Sequence, residues 1–256
     1  MNVNAKLQER YVKGIKKYRP ILTKAQASDI NESDTVTIVT DILCDIMGYD
    51  KYDHITSEYS IKKTYCDIAI KIEGNVKLLI ECKAVGVDLK DDHMRQATNY
   101  AADLGVEWAV LTNGIDWKIY KIIFSQPIER KLVYEFNMLD ISAKKAEVAE
   151  YLYYLSAEAF QKGSKQTLDD YYNNKLIANR YTLGLLLYSD SVIDYLRRQF
   201  RKLFPEISID SELIKKIITS EVVRREIIES DEASLARKTI ARAQKKLNLN
   251  NKKTDN

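Results

Sequence analysis

Apolar positions along the first half of the chain follow two rhythms. From Tyr65 to Ile72 they alternate, with Ile68, Ile70 and Ile72 in phase, which is the period of a strand. Glu73-Gly74-Asn75 is a turn signal, and Val76 to Lys83 returns as a second strand with Leu78 and Ile80 in phase. Trp108 to Leu111 is a short apolar strand, Asn113-Gly114 a hairpin turn, Trp117 to Ile123 its return, and Lys131 to Phe136 a last strand. Helical spacing marks the rest. A polar helix opens the chain to about Tyr18 and is expected to end at Pro20. Asn31-Glu32-Ser33-Asp34 reads as a helix start, with a polar cap and acids in the first turn. Val36, Val39, Leu43, Ile46 and Met47 follow at helical spacing, with Gly48 as the stop. Asp91 to Leu104 reads as a further helix.

Beyond about residue 145 the strand rhythm disappears. Helices are expected near 143–162, 166–179, 181–203, 209–219, 221–229 and 232–247, with Pro205 breaking the third. Ser211, and Asp231 or Ser230, are candidate caps. The pattern predicts an α/β class protein. Residues 1–145 mix helix and strand patterns, and residues 146–256 read as an all-α C-terminal region.

Composition narrows this. Hydrophobic residues are 45% and charged residues 30% of 256, enough apolar side chain for a core. Eight Gly and three Pro argue against a turn-rich all-β fold. Cys44, Cys66 and Cys82 with two distant His give no zinc-ligand spacing and fit a reducing compartment. The first thirty residues hold no apolar leader and no apolar run is long enough for a bilayer, so a soluble cytoplasmic protein with no membrane partner is expected. A net charge of +3 says little by itself. Its distribution says more: residues 31–60 carry seven acids against Lys51, and Arg237 to Lys253 carries seven basic residues and no acid. Such a basic run is either a solvated helix face or a phosphate contact.

Candidate chemistry lies on the hairpin around Gly74. If Ile72 faces Val76, Ile70 faces Leu78, Ile68 faces Ile80 and Cys66 faces Cys82, all on one apolar face. The other face then sets Asp67 opposite Glu81, with Lys83 one step along. Two facing carboxylates repel unless something positive lies between them. Two readings follow. The three charges form a surface ion-pair ladder, or they hold a divalent ion. Hard oxygen ligands beside a lysine suit Mg²⁺ or Mn²⁺, with the Cys82 backbone carbonyl as a further ligand. Glu81 ends the apolar run Val76-Lys77-Leu78-Leu79-Ile80, which reads as a central strand. The thiols of Cys66 and Cys82 are expected free and buried.

These residues resemble the PD-(D/E)xK nuclease superfamily, and within it the N-terminal nuclease domain of type I restriction-enzyme restriction subunits. The resemblance rests on Asp67 in Tyr65-Cys66-Asp67-Ile68-Ala69-Ile70, on Ile80-Glu81-Cys82-Lys83-Ala84, and on Gln96-Ala97-Thr98-Asn99-Tyr100 as a QxxxY element. Leu111-Thr112-Asn113-Gly114 with Trp117 and Tyr120 matches the later strands, and the resemblance covers roughly 28 to 125. It implies a restriction-endonuclease-like core, a mixed central sheet flanked by helices, over 1–145, with Asp67 and Glu81 as metal ligands and Lys83 as the catalytic lysine. Gln96 and Tyr100 would contact the phosphate backbone or brace the site. Glu32, at the start of the first core helix, would assist the metal, and Glu58 stands where the family often has another acid. The motor that follows in restriction subunits has no counterpart here, since Gly163-Ser164-Lys165 lacks the first glycine of a GxxxxGK[ST] loop. No sequence-reading module is visible.

The expected activity is that of a metal-dependent endonuclease acting on DNA, and family analogy alone adds a role in defence against foreign DNA. The alternative is a non-catalytic nucleic-acid-binding or regulatory protein on the same fold. A third class is an interaction module worked by the helical region. Expected partners are DNA, a second copy of the chain through the C-terminal helices, and a protein supplying specificity or a motor.

Overall fold

A computed structural model of the chain describes residues 3–61, 64–142, 144–161 and 167–254. The chain opens with α1 (Ala5–Ala27), which runs through Pro20 instead of ending there. A proline inside a helix costs about 3 kcal/mol. Here the buried stripe Tyr11, Ile15, Tyr18, Leu22 and Ala25 crosses it without a break, and burying Leu22 alone returns roughly 1.5–3 kcal/mol. Next, α2 (Glu32–Asp45) starts at Asn31, whose side chain accepts the Asp34 N–H, and Gly48 follows at φ +81°.

Six strands then form one sheet in chain order: β1 (Ile55–Ile61), β2 (Thr64–Ile72), β3 (Asn75–Cys82), β4 (Trp108–Thr112), β5 (Asp116–Ile123) and β6 (Glu129–Asn137). Only β3 and β4 run parallel, because α3 (Met94–Leu104) carries the chain back between them after a 3-10 turn at Asp91–His93. The sheet is therefore mixed and flanked by helices, with β3 in its interior. The sequence pattern shows no sign of β1. Its residues, Ile55 to Ile61, mix exposed polar positions with few apolar ones, as an edge strand does.

The hairpin of β2 and β3 closes one residue tighter than expected. Glu73 and Gly74 both have positive φ and make a two-residue turn, so Ile72 pairs with Asn75 and not with Val76. An irregularity between Ile70 and Lys71 leaves Lys77 as the extra residue, and the expected register returns at Ile70–Leu78 and Ile68–Ile80. The paired ladder ends there, short of Asp67–Glu81 and Cys66–Cys82. The face expected to be charged is mostly apolar. Ala69 opposite Leu79 lies on it, and both are buried with Met94, Ala97, Tyr100 and Ala101 of α3. Charge is confined to one end of that face.

The first compact unit extends to Leu168, past the change of pattern near 145. The short helices α4 (Lys145–Leu152) and α5 (Ala157–Phe160) pack back onto it. Val148, Ala149, Leu152 and Leu155 are buried, the Ala157 N–H donates to the Met47 carbonyl at 2.8 Å, and Arg10 grips both oxygens of Glu158 at 2.7 and 2.8 Å. These ties are long-range and leave no mark on local composition.

The second unit, from Asp169, is helical throughout. It comprises most of α6 (Leu168–Ile177), then α7 (Arg180–Leu187), α8 (Asp190–Leu203), α9 (Ser211–Ile217), α10 (Arg225–Glu229) and α11 (Asp231–Thr254). The single helix expected over 181–203 is interrupted at Tyr188-Ser189. Asp210, not Ser211, caps α9 by accepting the Leu213 N–H at 2.7 Å, and Ser230 Oγ accepts the Ala233 N–H. Gly163-Ser164-Lys165 lies outside the described residues.

Candidate active site

β3 delivers Glu81 to the interior end of the sheet, Cys82 closes the strand, and Lys83 follows it. The Lys83 N–H donates to the Thr112 carbonyl at 2.8 Å, which fixes the lysine backbone to β4. Glu81 is only 5% exposed. Its Oε1 accepts from Lys83 Nζ at 2.8 Å, while its Oε2 is buried without a hydrogen-bond partner among the described residues. Asp67, half-buried on β2, accepts the Cys82 N–H on Oδ2 at 2.7 Å. The N-terminus of α2 brings Glu32 to the same lysine, with Oε2 3.5 Å from Lys83 Nζ.

The electrostatics follow from this crowding. Burial, joined by the nearby Asp67 charge, pushes the Glu81 carboxyl up to about 7 against the pull of Lys83. Burial also raises Asp67, only partly offset by the Cys82 N–H and by Lys83. Burial pulls the Lys83 ammonium down, but Glu81, Glu32 and Asp67 more than offset that, so its pKa sits above the ordinary lysine value. Lys83 is therefore a firmly charged cation among carboxylates whose ionised forms are strained. Glu58 on β1 sits exposed at φ +48°, and its charge also raises Asp67.

α3 supplies the opposite wall. Gln96 Nε2 donates to the Tyr65 carbonyl at 3.0 Å and to Tyr100 Oη at 2.5 Å, so the i, i+4 pair ties α3 to β2. Between this wall and the end of β3 lies a cleft of about 610 Å³, lined by Glu81, Lys83, Gln96 and Tyr100 and also by Asp92, Arg95 and Asn99. Those last three were not singled out in the sequence, although with Gln96 and Asp103 they fall at helical spacing on one face. His93 lines the cleft as well, and its Nδ1 accepts the Lys90 N–H at 3.3 Å. The turn after β4 braces the floor. Asn113 Nδ2 donates to the Val87 carbonyl, in the loop after Lys83, at 3.0 Å, and its Oδ1 accepts the Asp116 N–H at 2.7 Å. Cys66 and Cys82 are free and buried, and burial pushes the Cys66 thiol up to about 12.

A divalent ion can be tested against these groups. Among the described residues no three His, Cys, Asp or Glu side chains converge on one point. Mg²⁺ does not require three, because it keeps several waters and binds through one or two carboxylates. Two carboxylates with raised pKa values, one with an unpartnered buried oxygen, are the donor set such an ion suits.

Residues 37–131 match the family model described as type I restriction enzyme R protein N terminus (HSDR_N). The match spans Asp67, Glu81, Lys83, Gln96 and Tyr100, and leaves out Glu32 and the whole helical unit. No curated protein and no solved structure matches the chain. No described helix is long and apolar enough to cross a membrane. Over α2 to the start of β6, then, this chain resembles the N terminus of type I restriction R proteins.

Proposed function

We propose that this protein is a metal-dependent nuclease that hydrolyses phosphodiester bonds in DNA. The observation that carries the reading is the buried Glu81, which lines the cleft with Lys83 and feels the Asp67 charge, one of its oxygens on that lysine and the other without a partner among the described residues. The matched family makes a restriction-related role the natural setting.

Asp67 and Glu81, with the Cys82 backbone carbonyl, would hold Mg²⁺ or Mn²⁺, and Glu32 stands close enough to Lys83 to assist. An ion bound there supplies Lewis-acid polarisation of a phosphoryl oxygen and acidifies a bound water. Lys83 keeps its proton and presents a fixed positive charge to the developing oxyanion, held in place by Glu81 and by its backbone bond to Thr112. Gln96 and Tyr100 serve first as the brace that sets α3 against β2. Cutting both strands needs two such centres, so pairing of two chains through the helical unit belongs to this reading, as does a partner protein supplying specificity or a motor.

The test is incubation with supercoiled plasmid, linear duplex and single-stranded DNA in Mg²⁺, Mn²⁺ or EDTA. Metal-dependent cutting that is lost in Lys83→Ala and in Asp67→Ala, with folding intact, is the expected result. Unchanged cutting in both variants sinks the assignment. One observation favours the second reading, a protein that binds nucleic acid without cutting it: Glu81 and Glu32 both pair with Lys83, a charge set that stands without a metal ion. That reading predicts salt-dependent binding and no cleavage with any divalent ion.

A further inference from the structure

The basic run at the end of the chain takes on a definite shape in α11. Lys238, Arg242 and Lys245 are spaced i, i+4 and i+7, so they align on one side of the helix over about 10 Å. All three are exposed, and none has an ion-pair partner among the described residues. The opposite side of the helix is spent on packing: Ala233 and Ala236 are buried, and α11 rests on α7 and α10. Several acids elsewhere in this unit are paired with other cations: Asp190 and Glu212 with Lys215, Asp194 with Arg197, and Glu226 with Arg180. The two acids of α11, Asp231 and Glu232, lie in its first turn, so the helix from Lys238 to Lys245 carries cations and no acid.

We propose that the outer face of α11, along Lys238, Arg242 and Lys245, is a phosphate-binding ridge that docks nucleic acid. Charge complementarity to a polyanion is the argument, since duplex DNA offers closely spaced phosphates and releases condensed counterions when cations replace them. A membrane fits less well. A helix that lies in a lipid interface needs a broad apolar face free to insert, whereas Ala233 and Ala236 of α11 are buried and Leu235 is its one large apolar side chain exposed among the described residues. The inference deepens the nuclease reading, on which it rests for the nature of the polyanion, by giving the substrate a docking surface on the second unit.

The experiment measures binding of the full chain to a short fluorescein-labelled duplex by anisotropy, in EDTA, across a salt series. It compares wild type with Lys238→Gln/Arg242→Gln/Lys245→Gln and with a control of equal charge loss on α8, Arg198→Gln/Arg201→Gln/Lys202→Gln. Loss of three phosphate contacts makes the slope of log K against log salt shallower by about 2.7, equivalent to roughly a 40-fold smaller loss of affinity between about 50 and 200 mM salt. The expected result is that change in the α11 variant and a clearly smaller one in the α8 control. Equal changes in both, no change in the α11 variant, or no duplex binding by wild type overturns the ridge. So does binding to phosphatidylserine vesicles that falls in the α11 variant while duplex binding stays. Cleavage is scored separately with Mg²⁺, so failure of the ridge and failure of the nuclease reading give different results.

Discussion

Neutralising Glu81 should stabilise the metal-free protein, and the size of the gain should depend on pH. Its carboxyl titrates near 7 in the fold against 4.5 when unfolded. Between those values the folded protein holds a proton that the unfolded chain has released, so stability falls as pH rises through the window. The rise from 4.5 to about 7 corresponds to roughly 3 kcal/mol lost between about pH 4 and pH 8. Asp67, also raised, adds loss of the same sign. Lys83 is raised in the other sense: its contribution is complete below its ordinary value of 10.5 and is lost only above that, so it is flat here. Glu81→Gln removes the titration and keeps an oxygen for Lys83 Nζ. It should match wild type near pH 4.5 and exceed it by about 3 kcal/mol near pH 8 in EDTA. Urea unfolding followed by tryptophan fluorescence reads this directly, because Trp108 and Trp117, the two tryptophans of the chain, both lie in the sheet. Parallel stability profiles for the two proteins across the window would refute the desolvation argument.

The other predictions concern the same unit. Mg²⁺ in hundredfold excess over its dissociation constant should stabilise wild type by about 2.7 kcal/mol and leave Asp67→Asn unmoved, as read by the unfolding midpoint; equal shifts would remove Asp67 from the ion. Leu79→Ala empties a fully buried position under α3 and should cost about 2–5 kcal/mol in the same urea assay, with a cost below 1 kcal/mol counting against that packing. Gln96→Leu cuts the tie to the Tyr65 carbonyl and should cost about 1 kcal/mol while speeding amide exchange in α3, and unchanged exchange would show that the tie does not hold the helix.

Much of this was legible in the residues because it is local. Alternation gave β2 and β3, the Asn31 cap gave the start of α2, and the turn residues gave the β4–β5 hairpin. What escaped depends on distant contacts. The passage of α1 through Pro20 follows from its buried stripe, and the addition of α4 and α5 to the first unit follows from Arg10, Glu158 and Met47. The one-residue error at Ile72 has a different origin: positive φ at Glu73, a residue that seldom adopts it, shortens the turn. Within the candidate site, the strand positions of Asp67 and Glu81 were readable from period two, while Lys83 stands one residue past the end of β3. The wall of Asp92, Arg95 and Asn99 became visible only with α3 in place across the cleft.

Burial is what separates the two readings that spacing left open. A surface ladder of Asp67, Glu81 and Lys83 would be solvated, with pairs worth about 0–1 kcal/mol and little effect on ionisation. Glu81 is instead withdrawn from water, and one of its oxygens has no described partner. Such a group weakens the metal-free fold: Lys83 offsets the cost at Oε1, and no described group offsets it at Oε2. A costly carboxylate kept at the end of an interior strand, beside a second carboxylate, a fixed ammonium and an open cleft, is where departures from good packing mark function. Under the proposed reading, a cation would take up the buried Glu81 oxygen.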